Sequence, residues 1–301
     1  MPGLGRVRPM RMVFVALAWG SCFVLLEWGA RGGSVLWFVT WRACIAGAVL
    51  LGLTLVRGRG VRPVTTSSWT LWMLIVALAV LNVVVSFAAM AGSLTGTTTG
   101  MAAVLANGQA LLVVLPAWWL FGERPSVLEL VAVAIGFGGL LLIAVPAGSG
   151  RGAWLALLAA GGVTAGALLA RRLAGVDILA LGAWQFLIGA AMLAGVATAI
   201  DGPPRANWSI NFVVAVLVLA VGGTALPYVA WFAELRRAPI TAVTSWTLLV
   251  PVVGVGMSVL ILREPVTPEQ FIGDATVVAA LAIVARSGRQ KQNDVTPPSA
   301  Q

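Results

Sequence analysis

The 301-residue chain has no histidine and only two cysteines. Zinc sites, Ser-His-Asp triads and imidazole proton relays therefore lack material. What it offers instead is hydroxyls, amides and aromatic rings at helical spacing inside apolar sequence. Asn82 and Ser86 are four apart and share one helical face. Thr224, Tyr228 and Trp231 follow at i, i+4 and i+7, with Pro227 able to kink their helix. Asn107 and Gln109 fall in the segment opened by Thr95-Gly96-Thr97-Thr98-Thr99-Gly100, and Thr241, Thr244, Ser245 and Leu248 make an i, i+3, i+4, i+7 face. Trp19-Gly20-Ser21 and Thr164 add one hydroxyl per half of the chain. Such groups solvate a solute and stack on it; they do not supply a nucleophile or an acid/base pair. The expected binding set is Trp19, Ser21, Asn82, Ser86, Asn107, Thr164, Tyr228, Trp231, Thr244, Ser245 and Leu248. No catalytic, cofactor-binding or metal-binding residue is expected. For Ser21 and Thr164 a bond to their own helix backbone is the competing use of the hydroxyl.

Among the charged residues, Arg42 lies about two turns inside an apolar run, where a guanidinium costs about 2.5–3.5 kcal/mol and needs a partner. Glu27 is the nearest candidate in sequence, and the pair would be either an outer gate or a packing clamp. Glu123 and Glu264 end two apolar runs, each beside an arginine and shortly before a proline. They are expected to anchor helix ends by accepting from amides of the following span. Cys22 and Cys44 read as small apolar core residues.

The elements that must position these groups are membrane spans. Hydrophobic residues make up 60% of the chain and charged residues 10%, a balance that a soluble protein does not carry. Ten mainly apolar runs are each about as long as a bilayer core requires of a helix. They cover 12–30, 34–56, 69–91, 96–120, 127–146, 152–172, 177–200, 210–234, 240–262 and 268–286. The first is kept as a mature helix, because Glu27 and Trp28 stand where a cleavage site would need small residues. With ten crossings, one side receives fourteen basic residues, among them Arg57, Arg124, Arg171, Arg172, Arg236 and Arg237. The other receives Arg31, Arg151, Arg205 and Arg263. This asymmetry puts both termini in the cytoplasm and accounts for the basic pI without a nucleic-acid partner. The lipid bilayer is the expected surrounding, with Trp69, Trp72, Trp154 and Trp208 as interfacial anchors.

The chain also repeats itself. Shifted by 141 positions, Phe87 falls on Tyr228, Leu94 on Leu235 and Glu123 on Glu264; at 143, Trp41-Arg42 falls on Trp184-Gln185 and Leu50 on Leu193. The reading is an all-α polytopic protein: a first five-helix repeat over 1–148, a second over 149–289, and a polar tail over 290–301. Five crossings is an odd number, so the second repeat enters the membrane inverted, and a solute site belongs near mid-membrane where the halves meet. The fifth and tenth spans, poor in polar residues beyond Glu129 and Asp274, read as peripheral supports.

Trp19-Gly20-Ser21, Arg42 and the Glu-terminated fourth and ninth spans, with the turn from Glu264 through Gln270 to Gly273, resemble the drug/metabolite transporter superfamily in its ten-helix EamA-type exporter branch. The resemblance covers nearly the whole chain and is greatest to bacterial aromatic amino acid exporters. It implies two inverted five-helix repeats, a central cavity lined by helices 1, 3, 4, 6, 8 and 9, a bacterial inner-membrane location and export of small metabolites by alternating access. Departures are Ala132 where the second copy has Gly273, and Gly161-Gly162 in place of an aromatic in the sixth helix. Aromatic or other neutral amino acids are the expected solutes. Export of drugs or other neutral metabolites and lipid flipping stand as alternatives. Proton carriage by Glu27 or Asp274, the oligomeric state and the native solute stay open.

Overall fold

Backbone groups in hydrocarbon must be bonded within their own segment, so apolar runs of this length become helices. The computed structural model describes residues 7–58, 69–144, 150–173, 175–204 and 208–295. Its helices are α1 (Pro9–Ala30), α2 (Val35–Val56), α3 (Trp69–Ser93), α4 (Thr99–Phe121) and α5 (Val127–Ala144) in the first half. The second half holds α6 (Gly150–Arg172), α7 (Ile178–Asp201), α8 (Ile210–Leu235), α9 (Ile240–Leu262) and α10 (Pro268–Val295). Eight of them have the length and hydropathy to cross a membrane, and α5 and α10 carry the shorter apolar stretches Val127–Gly139 and Phe271–Ala280. The ends agree with the expected spans to within a turn, except that α10 continues past 286 to Val295. Arg, Gln and Lys there favour helix, and no proline follows before Pro297.

Contacts come in matched pairs. α1 packs on α9 as α6 packs on α4, α3 packs on α6 as α8 packs on α1, and the mates α2 and α7, and α5 and α10, pack on one another. The outside is covered with exposed Leu, Val, Ile and Trp, such as Val56, Trp119, Leu260 and Phe271, a surface suited to acyl chains. Both cysteines are free.

The 141-position offset reappears in the irregularities of the backbone. α3 widens into a π-turn at Val80–Val85 and α8 at Val221–Ala225. In each, a hydroxyl donates to the carbonyl five residues back: Ser86 Oγ to Leu81 O at 2.7 Å and Thr224 Oγ1 to Leu219 O at 2.8 Å. The irregularity expected at Pro227 is thus one of a pair of π-bulges, and its mate in α3 forms with Ser86 at the position of the proline. α4 breaks after Ala106, at Asn107 and Gly108, and α9 narrows to a 3-10 turn at Ser245–Leu248.

α4 and α9 also end alike, on left-handed residues: Gly122 at φ 70° and Arg263 at φ 56°. The next amide folds back six residues in both, Glu123 N to Ala117 O at 3.4 Å and Glu264 N to Ser258 O at 3.3 Å, a left-handed cap one residue wider than a Schellman motif. Glycine takes this conformation freely; arginine is strained there by about 1 kcal/mol. Arg263→Gly is therefore expected to stabilise the protein by about 0.5–1 kcal/mol, read as a raised midpoint in a detergent melting curve. An unchanged or lowered midpoint would show that the arginine side chain compensates its backbone.

Candidate functional site

The two glutamates that close α4 and α9 hold the halves together crosswise. Glu123 accepts from Ile240 N at 3.1 Å, Thr241 N at 3.3 Å and Thr241 Oγ1 at 2.9 Å. Glu264 accepts from Thr99 N at 3.0 Å and Gly100 N at 3.2 Å. Each carboxylate thus caps the N-terminus of the opposite repeat's helix, where free amides and the helix dipole favour negative charge. This corrects the expectation that they serve the following span. It also shows that α4 and α9 run antiparallel, the end of each meeting the start of the other. The clasps are unequal: Arg171 Nη1 lies 3.0 Å from Glu123 and its guanidinium sits 5.0 Å from the Phe121 ring. Glu264 instead borders an open recess lined by Glu27 and Thr95 to Thr99.

On the Glu123 side further contacts tie the helix ends. Glu234, fully buried, accepts from Arg8 N at 3.0 Å and Arg11 Nη1 at 3.1 Å. Arg236, just past α8, donates to Leu173 O at 3.3 Å and to Val176 O. Burial draws its pKa down, with Asp177 opposing.

Between the clasps lies a cavity of about 60 Å³ open to the centres of water-sized spheres. At about 10–15 Å³ per water it has room for a few waters. α1 contributes Trp19, Cys22 and Phe23; α2 contributes Arg42; α3 contributes Ser86, Phe87 and Met90. The break in α4 presents Ala106, Asn107 and Gln109, and Ala159, Val163 and Tyr228 complete the wall from α6 and α8. Trp19, Ala159 and Asn107 fall well inside their helices, so the cavity lies within the bundle. Aromatic rings dominate: Trp19 stands 5.5 Å from Tyr228 and 5.1 Å from Trp231, and Phe186 meets Tyr228 edge-on at 5.0 Å.

Of the expected binding set, Trp19, Ser86, Asn107 and Tyr228 meet at this cavity. Trp231 backs Trp19 from the core. Asn82 is buried against α6, where a Cβ on Gly166 would come 2.1 Å from its Oδ1. Ser21, Thr164 and Thr244 donate to Ala18 O, Ala160 O and Ile240 O of their own helices, the backbone use that lipid-level hydroxyls commonly find. The side chains of Ser245 and Leu248 fall outside the described residues. Gln109, Cys22 and Phe87 were absent from the expected set, although an amide such as Gln109 within an apolar helix was a usable signal.

The Glu27–Arg42 pair does not form. Glu27 Oε1 pairs one turn along its own helix with Arg31 at 3.6 Å. Arg42 turns inward, 3% exposed, donating from Nε to Thr224 Oγ1 at 2.6 Å and from Nη2 to Cys22 Sγ at 3.8 Å, with its Cζ 4.1 Å from the Phe87 ring centroid. The reason is reach along the axis: Glu27 sits near the end of α1 beside Arg31, whereas Arg42 is deeper in α2. Asp274 is buried with neither carboxylate oxygen hydrogen-bonded among the described residues, and it lines a separate groove with Val104, Pro251 and Phe271.

Comparison with known proteins gives the following. The family model described as the EamA-like transporter family matches residues 10–145 and again residues 150–286. A WAT1-related chloroplastic protein of Arabidopsis thaliana is 26% identical over 282 residues, covering 88% of this chain and 66% of its own length. The transporter YvbV of Bacillus subtilis is 23% identical over 93% of this chain and 92% of its own. A probable amino-acid metabolite efflux pump of Escherichia coli is 26% identical over 62% of this chain and 68% of its own. A solved crystal structure superposes with a TM-score of 0.72 at 19% identity, over 93% of this chain and 98% of the other, which speaks to fold alone.

Proposed function

We propose, from the premise that the chain belongs to the EamA-like transporter family, that it exports small hydrophobic metabolites, aromatic and neutral amino acids first. The chain is a multi-pass membrane transporter of the drug/metabolite type. The finer reading places it in a bacterial inner membrane with both termini cytoplasmic, on the basic-residue asymmetry. The cavity would be exposed alternately to the two sides by exchange of the crossed glutamate clasps.

The observation that carries the reading is the cavity itself: between the repeats, within the bundle, walled by Trp19, Phe23, Phe87 and Tyr228, with amides at Asn107 and Gln109. Flat rings stack on flat rings and lining amides take up the polar end of a solute. One cation in the lining is too few for a phosphate ester. The Escherichia coli relative, a probable amino-acid metabolite efflux pump, points the same way.

Counterflow in proteoliposomes tests it. Vesicles loaded with unlabelled phenylalanine are expected to accumulate external labelled phenylalanine transiently, with competition from tyrosine, tryptophan and leucine and none from lysine or glutamate. Absence of flux for every amino acid tried would end the assignment.

A further inference from the structure

We propose that Arg42 is the anchor for a carboxylate on the transported solute, so that the cavity selects small monocarboxylates with an apolar or aromatic body. The inference rests on the cavity being the solute site and not on the solute being an amino acid.

A guanidinium carries five N–H donors. Among the described residues, Arg42 Nε is used by Thr224 Oγ1, Nη2 meets only the weak sulfur acceptor of Cys22 at 3.8 Å, and Nη1 has no hydrogen-bond partner. The side chain is 3% exposed and borders the cavity, and no Asp or Glu stands among the lining residues. The Phe87 ring, 4.1 Å from Cζ, offers a cation–π contact and no charge. A buried cation so placed retains both unmet donors and uncompensated charge, a costly state at this depth. A carboxylate matches the guanidinium fork in geometry and sign, and it is the group that a solute can bring.

Other features of the cavity fit the remainder of such a solute. Tyr228 lines it and brings a hydroxyl, a second donor for the carboxylate. Trp19 lines it too and offers an aromatic face to an apolar body. Gln109 Oε1 has no partner among the described residues and can accept from an amine where the solute has one. Arg42 is also tied through Thr224 to the π-bulge of α8, in the other repeat. A bound carboxylate would therefore bear on the seam that moves.

Three ligands with one ring and different ends separate this from a clamp that merely joins helices: 3-phenylpropionate, phenylalanine and phenethylamine. Affinities are read by ligand-induced thermal stabilisation of purified protein, and flux by counterflow. Wild type is expected to favour the two carboxylates over phenethylamine. Arg42→Gln, the residue that the second repeat has at Gln185, should weaken the carboxylates roughly 10- to 100-fold and leave phenethylamine bound at least as well, since its ammonium is relieved of a like charge. Arg42→Lys should fall between them, and it carries the comparison if the Gln variant does not purify as a monodisperse species. A structural clamp predicts equal losses for all three ligands. That result, or wild-type preference for phenethylamine, overturns the proposal. Arg42-dependent binding of phenylpropionate without amino acid flux would uphold the anchor and end the amino acid reading. Phenylalanine flux with no carboxylate preference would do the reverse.

Discussion

Glu123→Gln is expected to open the cavity toward the side of the membrane that holds the chain termini, and Glu264→Gln toward the opposite side. The neutral amide keeps the shape of the carboxylate but turns an acceptor into a mixed group facing N–H donors. On the Glu123 side three hydrogen bonds and the Arg171 contact at 3.0 Å are weakened together. Bonds to charged acceptors contribute about 1.5–3 kcal/mol each, so a net loss of about 2–4 kcal/mol is reasonable after water replaces them. A shift of that size moves a two-state access equilibrium by tenfold or more for every ~1.4 kcal/mol. Glu264 makes two backbone contacts beside an open recess, so its variant should shift the equilibrium less. The reporter is a cysteine replacing Val163 on the cavity wall, in a background with Cys22→Ala and Cys44→Ala. An impermeant maleimide should label it about 30-fold or more faster from the termini side in Glu123→Gln, and by a smaller factor from the other side in Glu264→Gln. Labelling of both from one side would mean that the glutamates are helix caps with no part in gating.

How far the sequence anticipates this arrangement differs by level. The spans were legible because bilayer thickness dictates their length, whatever the residues pack against. The repeat was legible through Glu123 and Glu264, and the same offset recurs in the paired π-turns at Val80–Val85 and Val221–Ala225. What was not legible is who faces whom. Glu123 reaches Ile240, 117 positions along the chain, because the repeats interlock head to tail, whereas proximity in sequence pointed to the next span. Glu27 was assigned to Arg42 by the same proximity, but a residue one turn away on its own helix took it. Hydroxyls were ambiguous in type: Ser86 and Thr224 serve π-bulges, while Thr164 and Thr244 fold onto ordinary helix carbonyls. Phe23, Phe87 and Met90 line the cavity with side chains no different in kind from those that face lipid. Periodicity alone could not separate the two faces.

Two adjacent glycines should answer in opposite directions to the same added methyl. Gly161→Ala places a Cβ with nothing within 4 Å, so only helix propensity acts, and a gain of about 0.5–1 kcal/mol is expected. Gly162→Ala places it 2.5 Å from Ser86 Oγ and 2.8 Å from Leu81 O. Ser86 could rotate away, but Leu81 O is backbone in the π-turn of α3 and accepts the Ser86 hydroxyl. The methyl must therefore push α3 from α6 or break that bond, at a cost of about 2–3 kcal/mol. Combining Gly162→Ala with Ser86→Ala removes the side-chain clash and keeps the backbone one, so it should recover only part of the loss. Melting midpoints from size-exclusion profiles of heated detergent samples read all three. Because the π-turn also presents Ser86 to the cavity, the Gly162 variant should lose solute affinity along with stability, while Gly161→Ala should keep both. Equal melting points for the two single variants would show that α3 and α6 do not approach as closely as the Gly162 contacts require.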